Sequence, residues 1–75
     1  MTYSKFDHPQ GGRVQLPVQA RAAVIREARQ GRSYSLEDLA VASGLTVHEI
    51  SEIELGKNKS LPYFRRLARV LGLPL

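Results

Sequence analysis

The chain has 75 residues, no cysteine and a formal net charge of +4, with a sequence pI of about 10.0. That length holds one domain with a limited core, and the lack of cysteine excludes a disulfide framework, a thiolate metal site and a cysteine nucleophile. The two histidines, His8 and His48, stand alone, short of the four ligands of a structural zinc, so no metal or cofactor is expected; the excess of base suits a polyanionic partner.

Residues 1–16 read as an arm. The run HPQGGR is dense in turn formers, with Pro9, Gly11 and Gly12, and TYSKF and RVQL on either side alternate weakly. The arm is expected to be either a β-hairpin bending at Gln10-Gly11-Gly12 or a flexible segment. An isolated hairpin is marginal in water, so order here would need a partner. The opening residues carry no apolar stretch of the secretory-leader kind, and no run reaches the roughly 18 apolar residues that cross a bilayer. A cytoplasmic location with no membrane partner is expected.

Residues 17–75 read as an all-α domain of four helices. The first is expected from Pro17, a residue tolerated at the first helical position, to Gln30. Ala22, Ile25, Ala28 and Val18 lie on one face, and Gly31 is expected to break it. Ser35 is a good N-cap with Asp38 three residues on, a capping-box spacing; the second helix follows over Leu36–Ser43, with Leu36, Leu39 and Ala40 inward. Gly44 ends it where positive φ costs nothing. Thr46 and Glu49 repeat the capping-box pattern for a third helix, Val47–Leu55, with Val47, Ile50 and Ile53 inward and Gly56 as its stop. After a polar loop, Ser60 caps the last helix and Pro62 sits in its first turn. Leu61, Phe64, Leu67, Ala68 and Leu71 form its apolar face; Arg65, Arg66 and Arg69 form a basic one, either a solvated surface or a set of partners for acids on another protein.

Two short helices joined through Gly44-Leu45-Thr46 and closed by Gly56 make a helix-turn-helix pattern. With its neighbours the pattern becomes more specific: IREAR in the first helix, SLEDLA opening the second, SGLT at the turn, ISEIE-L-GK in the third, and L-P-Y-F-R-R-L-A-R-V-L-G in the fourth. Over Ile25 to Leu73 the chain resembles the Cro/phage-repressor class of helix-turn-helix domains, the XRE family. The resemblance implies a lambda-repressor-like fold and a DNA-binding regulator, commonly a repressor or an autoregulating antitoxin, that binds inverted repeats of double-stranded DNA as a homodimer. It places Ser35 near a phosphate, Thr46, Val47, His48, Glu49 and Glu52 at the face that meets bases and phosphates, and Lys57, Asn58 and Lys59 beside the backbone. It also implies a structural ion pair between Arg29 and Glu54. Many members continue into a fifth helix; a chain stopping at LGLPL is expected to leave apolar surface near Val70, Leu71 and Leu73. Tyr63, Arg66, Val70 and Leu73 are accordingly the expected dimer or partner surface.

The difficulty is charge. From Ser35 to Gly56 the chain holds Glu37, Asp38, Glu49, Glu52 and Glu54 and neither Lys nor Arg, a charge of −5 set against +9 elsewhere. Leu36 stands where the family often has a Gln that touches DNA. Glu37 and Asp38 suit the positive end of a helix dipole. Glu49 is either a capping residue or an acceptor for the N4 amino group of cytosine; His48 is either a solvated side chain or a donor to guanine or phosphate. Glu52 has no structural task visible at this level. Two functions follow. One is a repressor-type DNA-binding regulator held to DNA by Lys57, Lys59, Arg13 and Arg32. The other is a small anti-activator or antitoxin whose acidic face grips a basic protein. No catalytic constellation or phosphate loop is present, and an enzyme is not expected.

Overall fold

The computed structural model describes residues 17–74. The arm with its hairpin expectation, His8 and Arg13 lies outside the described residues. Those described form four helices: α1 Val18–Gly31, α2 Leu36–Ser43, α3 Val47–Glu54 and α4 Leu61–Val70. α1 packs on α3 and α4, and α2 packs on the same two. Every helix thus has two main neighbours, and the four close around one core.

The core follows from the periodicity. Ile25, Leu39, Ile50 and Leu67, one from each helix, are its largest fully buried side chains. Ile53, Phe64, Ala68, Leu71 and Leu45 complete it. Leu36 and Ala40, expected inward, are half-buried against this cluster, and Val47 is half-buried too. Truncating a side chain such as Leu39 to Ala costs about 2–5 kcal/mol in sites of this kind.

Helix ends differ from expectation at three places. Pro17 is the N-cap of α1 rather than its first residue, with an extended ψ of 160°; a cap needs non-helical ψ, and proline's fixed φ allows it. Gly31 does not break α1 but is its last helical residue. The left-handed residue is Ser33, at φ 58°. Tyr34 N–H donates to the Arg29 carbonyl at 3.1 Å, the long bond of a Schellman closure. Leu55 is the C-cap of α3, outside the helix. Gly56, at φ 76°, then lets Lys57 N–H reach the Glu52 carbonyl at 2.8 Å.

Candidate nucleic-acid interface

The turn between α2 and α3 is built by local chemistry. The Ser35 hydroxyl accepts the Asp38 N–H at 2.9 Å while the Asp38 carboxylate accepts the Ser35 N–H at 3.0 Å. Thr46 and Glu49 repeat the arrangement at 3.0 and 2.9 Å. Each box satisfies two amide donors that a helix start leaves open. Between them Gly44 takes φ 79°, and the buried Ser43 hydroxyl accepts the Leu45 N–H at 3.2 Å. Leu45 is buried in the core. The turn is therefore pinned at both helix ends and at its middle, which fixes how α3 stands relative to α2.

The other end of α3 is clamped to α1. Arg29 grips the buried Glu54 carboxylate with two bonds, Nε to Oε2 at 2.6 Å and Nη2 to Oε1 at 3.0 Å. Its Nη1 donates to the Tyr34 carbonyl at 2.9 Å, so the same guanidinium ties down the α1–α2 connection. The Glu54 hydrogen bond raises the Arg29 pKa above its ordinary value, against a lowering by burial. Arg26, one turn earlier, donates to the Glu54 backbone carbonyl at 3.1 Å.

Two acids of α3 are hydrogen-bonded within the chain and the third has a histidine beside it. Glu54 is held by Arg29. Glu49 uses both oxygens: Oε1 accepts the Thr46 N–H, and Oε2 accepts the Tyr63 hydroxyl of α4 at 3.3 Å. The Thr46 amide is the main reason its pKa is lowered, with Tyr63 and His48 adding to it against desolvation. Glu52 lies one turn after His48, with Nε2 to Oε2 at 3.4 Å. Its carboxylate and the His48 imidazole thus form a polar pair on the outer side of α3.

Not all the expected site residues share one surface. Ser35, Thr46, His48, Lys57 and Lys59 are exposed; Val47, Glu49, Glu52 and Asn58 are half-buried. The Asn58 side-chain oxygen accepts the Ser60 N–H at 2.9 Å and so shapes the loop into α4. Of the expected partner surface only Arg66 is exposed. Tyr63, Val70 and Leu73 pack against the core cluster, and Leu71 is buried within it. Tyr63, expected at a dimer or partner surface, is half-buried against the core, with its hydroxyl donating to Glu49.

The roles of three residues are not legible in the sequence. Arg26 and Tyr63 act on partners 28 and 14 residues away, and no local pattern announces them. Ser43 was visible as a small residue before Gly44, but its bond to Leu45 needs the turn geometry.

A short helix held at both ends, preceded by a capped glycine turn and followed by two exposed lysines, defines a helix-turn-helix DNA-binding domain. Residues 25–75 match the family model described as Helix-turn-helix, more than half of the chain. The chain belongs to this family, in its XRE kind, a family of DNA-binding transcription regulators. No curated protein matches it. Among the described residues no helix is long and apolar enough to cross a membrane, and no group of acids and histidines is placed to hold a metal.

Proposed function

We propose that this chain is a repressor-type regulator that binds an inverted repeat of double-stranded DNA as a dimer. The observation that carries the reading is that two of the three acids on α3, Glu54 and Glu49, are hydrogen-bonded within the domain and the third, Glu52, lies beside His48. Glu54 faces α1, Glu49 braces the turn and α4, and Glu52 is drawn onto His48. The negative charge that seemed to oppose DNA is held close to the domain's own donors. What projects outward is the Thr46 and His48 end of α3 and the Lys57 and Lys59 side chains after it. The lysines supply sequence-independent attraction to phosphate. His48, 80% exposed at its side chain, is the reader, with Glu52 fixing the imidazole by its second nitrogen. Glu49 serves as a brace rather than a cytosine acceptor, because its carboxylate is turned to the Thr46 amide and the Tyr63 hydroxyl.

A second reading has one observation in its favour. Leu55, just beyond α3, is 61% exposed, and in the major groove an apolar side chain finds only the thymine methyl. A protein partner would cover it, as an anti-activator or antitoxin role requires. Selection of binders from a random duplex pool, at about 50 and 200 mM salt, separates the two. Enrichment of an inverted repeat with half-sites about one helical turn apart supports the dimeric regulator. Weak, salt-sensitive retention without enrichment refutes sequence-specific reading and leaves the protein-binding role.

A further inference from the structure

Two charged surfaces remain outside the site just described. On α4, Arg65, Arg66 and Arg69 are all exposed. They stand three and four residues apart, so they form one ridge. A Cβ at Gly72 would lie 2.9 Å from the Arg32 Nη2, which sets a fourth guanidinium at the ridge's C-terminal end. Among the described residues none of these arginines meets a carboxylate. Arg32 and Arg69 gain from the negative end of the α4 dipole; Arg65 and Arg66 have no such compensation, and like charges at this spacing repel.

On α2, Glu37 and Asp38 are exposed in the first turn. Glu37 has no cationic partner among the described residues, and Asp38 gives one oxygen to the Ser35 amide and keeps the other free. One turn further on the same face stands Val41, 86% exposed and the most open large apolar side chain in the described structure. α2 packs directly on α4, so the acidic and basic surfaces belong to neighbouring helices of one molecule.

A two-fold interface needs a patch that complements itself under rotation. Adjacent acid and base provide this: the acids of each copy fall on the arginines of the other, and the contact is made twice. We propose that two copies of this chain associate through such an interface, with the α2 turn of Glu37 and Asp38 on one copy against the α4 ridge of Arg65, Arg66 and Arg69 on the other. The partner is a second copy because the matching acids are present, exposed and uncommitted on the chain itself. The proposal deepens the dimeric reading above and rests on it. The contact as proposed uses neither the Thr46 and His48 end of α3 nor the two lysines.

The test is sedimentation velocity of the full chain and of three variants, each checked for helical far-UV circular dichroism. Glu37→Arg and Arg66→Glu are each expected to weaken self-association at least about tenfold, since each creates two like-charge contacts per dimer. The double variant Glu37→Arg/Arg66→Glu, and an equimolar mixture of the two single variants, are each expected to recover it. Should Glu37→Arg unfold, Arg66→Glu paired with Glu37→Lys carries the same test. A dimer unmoved by any of these charges overturns the proposed interface and leaves the dimeric regulator standing. Charge-swap recovery without enrichment of an inverted repeat does the reverse. A monomer whose DNA retention falls in Arg66→Glu overturns the proposal in favour of a phosphate-binding ridge.

Discussion

Replacing Arg29 by Met isolates the clamp that fixes the end of α3. The substitution leaves the Glu54 carboxylate 8% exposed at its side chain, with no other cationic side chain bonded to it. Arg26 reaches only the backbone carbonyl. Removing one partner of a fully buried pair costs about 3–5 kcal/mol. Here the guanidinium edge is 14% exposed, so water can partly replace it, and a loss of about 2–4 kcal/mol is expected. Against a total of about 5–15 kcal/mol for a domain, that is a large share. It corresponds to a fall of about 8–32 °C in Tm for a domain of this size. The assay is urea unfolding followed by far-UV circular dichroism, since the chain has no tryptophan. The double variant Arg29→Met/Glu54→Leu removes both charges and should recover at least half of the loss, because an apolar pair needs no compensation. A single variant within about 0.5 kcal/mol of the parent refutes the clamp. So does a double variant as unstable as the two single changes summed.

Four further outcomes are expected. Ser33→Gly should raise stability by about 0.5–1 kcal/mol in the same unfolding assay, because glycine takes the left-handed conformation that serine holds at a cost; a destabilised variant would show that the serine side chain has a task of its own. Thr46→Ala should lose about 1 kcal/mol, as caps of this kind do, and the loss should appear in the same unfolding curves. The lowered pKa of Glu49 means that its contribution is fully present above its unfolded value of about 4.3 and fades as pH falls through the folded value. Unfolding curves between about pH 5 and 3 should therefore fall more steeply for the parent than for Glu49→Gln, which keeps a capping oxygen but cannot titrate. Lys57→Ala should weaken binding to every duplex and reduce the salt slope by about one, whereas His48→Ala should change preference at one base position by about 1–3 kcal/mol; a uniform loss in the second variant would assign His48 to phosphate.

What could be read before folding was what is local. The two capping boxes, the glycine between them and the apolar spacing of four helices all act within a few residues, so α2 is found with the bounds its sequence implies. The end of α1 shows the limit. Gly31 is the best breaker by composition, yet a helix stops where its last carbonyls find donors. Those donors are the Arg32, Ser33 and Tyr34 amides, which need the left-handed residue two positions later. The resemblance directed attention to Arg29 and Glu54, which meet as a bidentate pair. Nothing local points to Tyr63 as the partner of Glu49, since the pair exists only once α4 has packed.

The opposition between acid and DNA therefore concerns where the charges point. Counted along the chain, α2, α3 and their turn carry −5; counted by partner, Glu54 and Glu49 of α3 are hydrogen-bonded within the domain and Glu52 lies 3.4 Å from the His48 imidazole. Of these five acids, those with no cationic or imidazole group beside them are Glu37 and Asp38, and both lie on α2 rather than on α3. Coulomb energy falls with distance and with screening over roughly 8–10 Å at physiological salt. Acids on the neighbouring helix therefore repel a phosphate much less than acids beside it. The same separation leaves them free for the arginines of a second copy. In this reading one helix carries the contacts to DNA and its neighbour carries the contacts to the partner that brings a second reading helix into place. Glu37→Arg tests the division directly: it should weaken binding to a two-site duplex far more than to a single half-site. Equal gains on both would show that α2 faces the DNA after all, since the change replaces a charge that repels phosphate with one that attracts it.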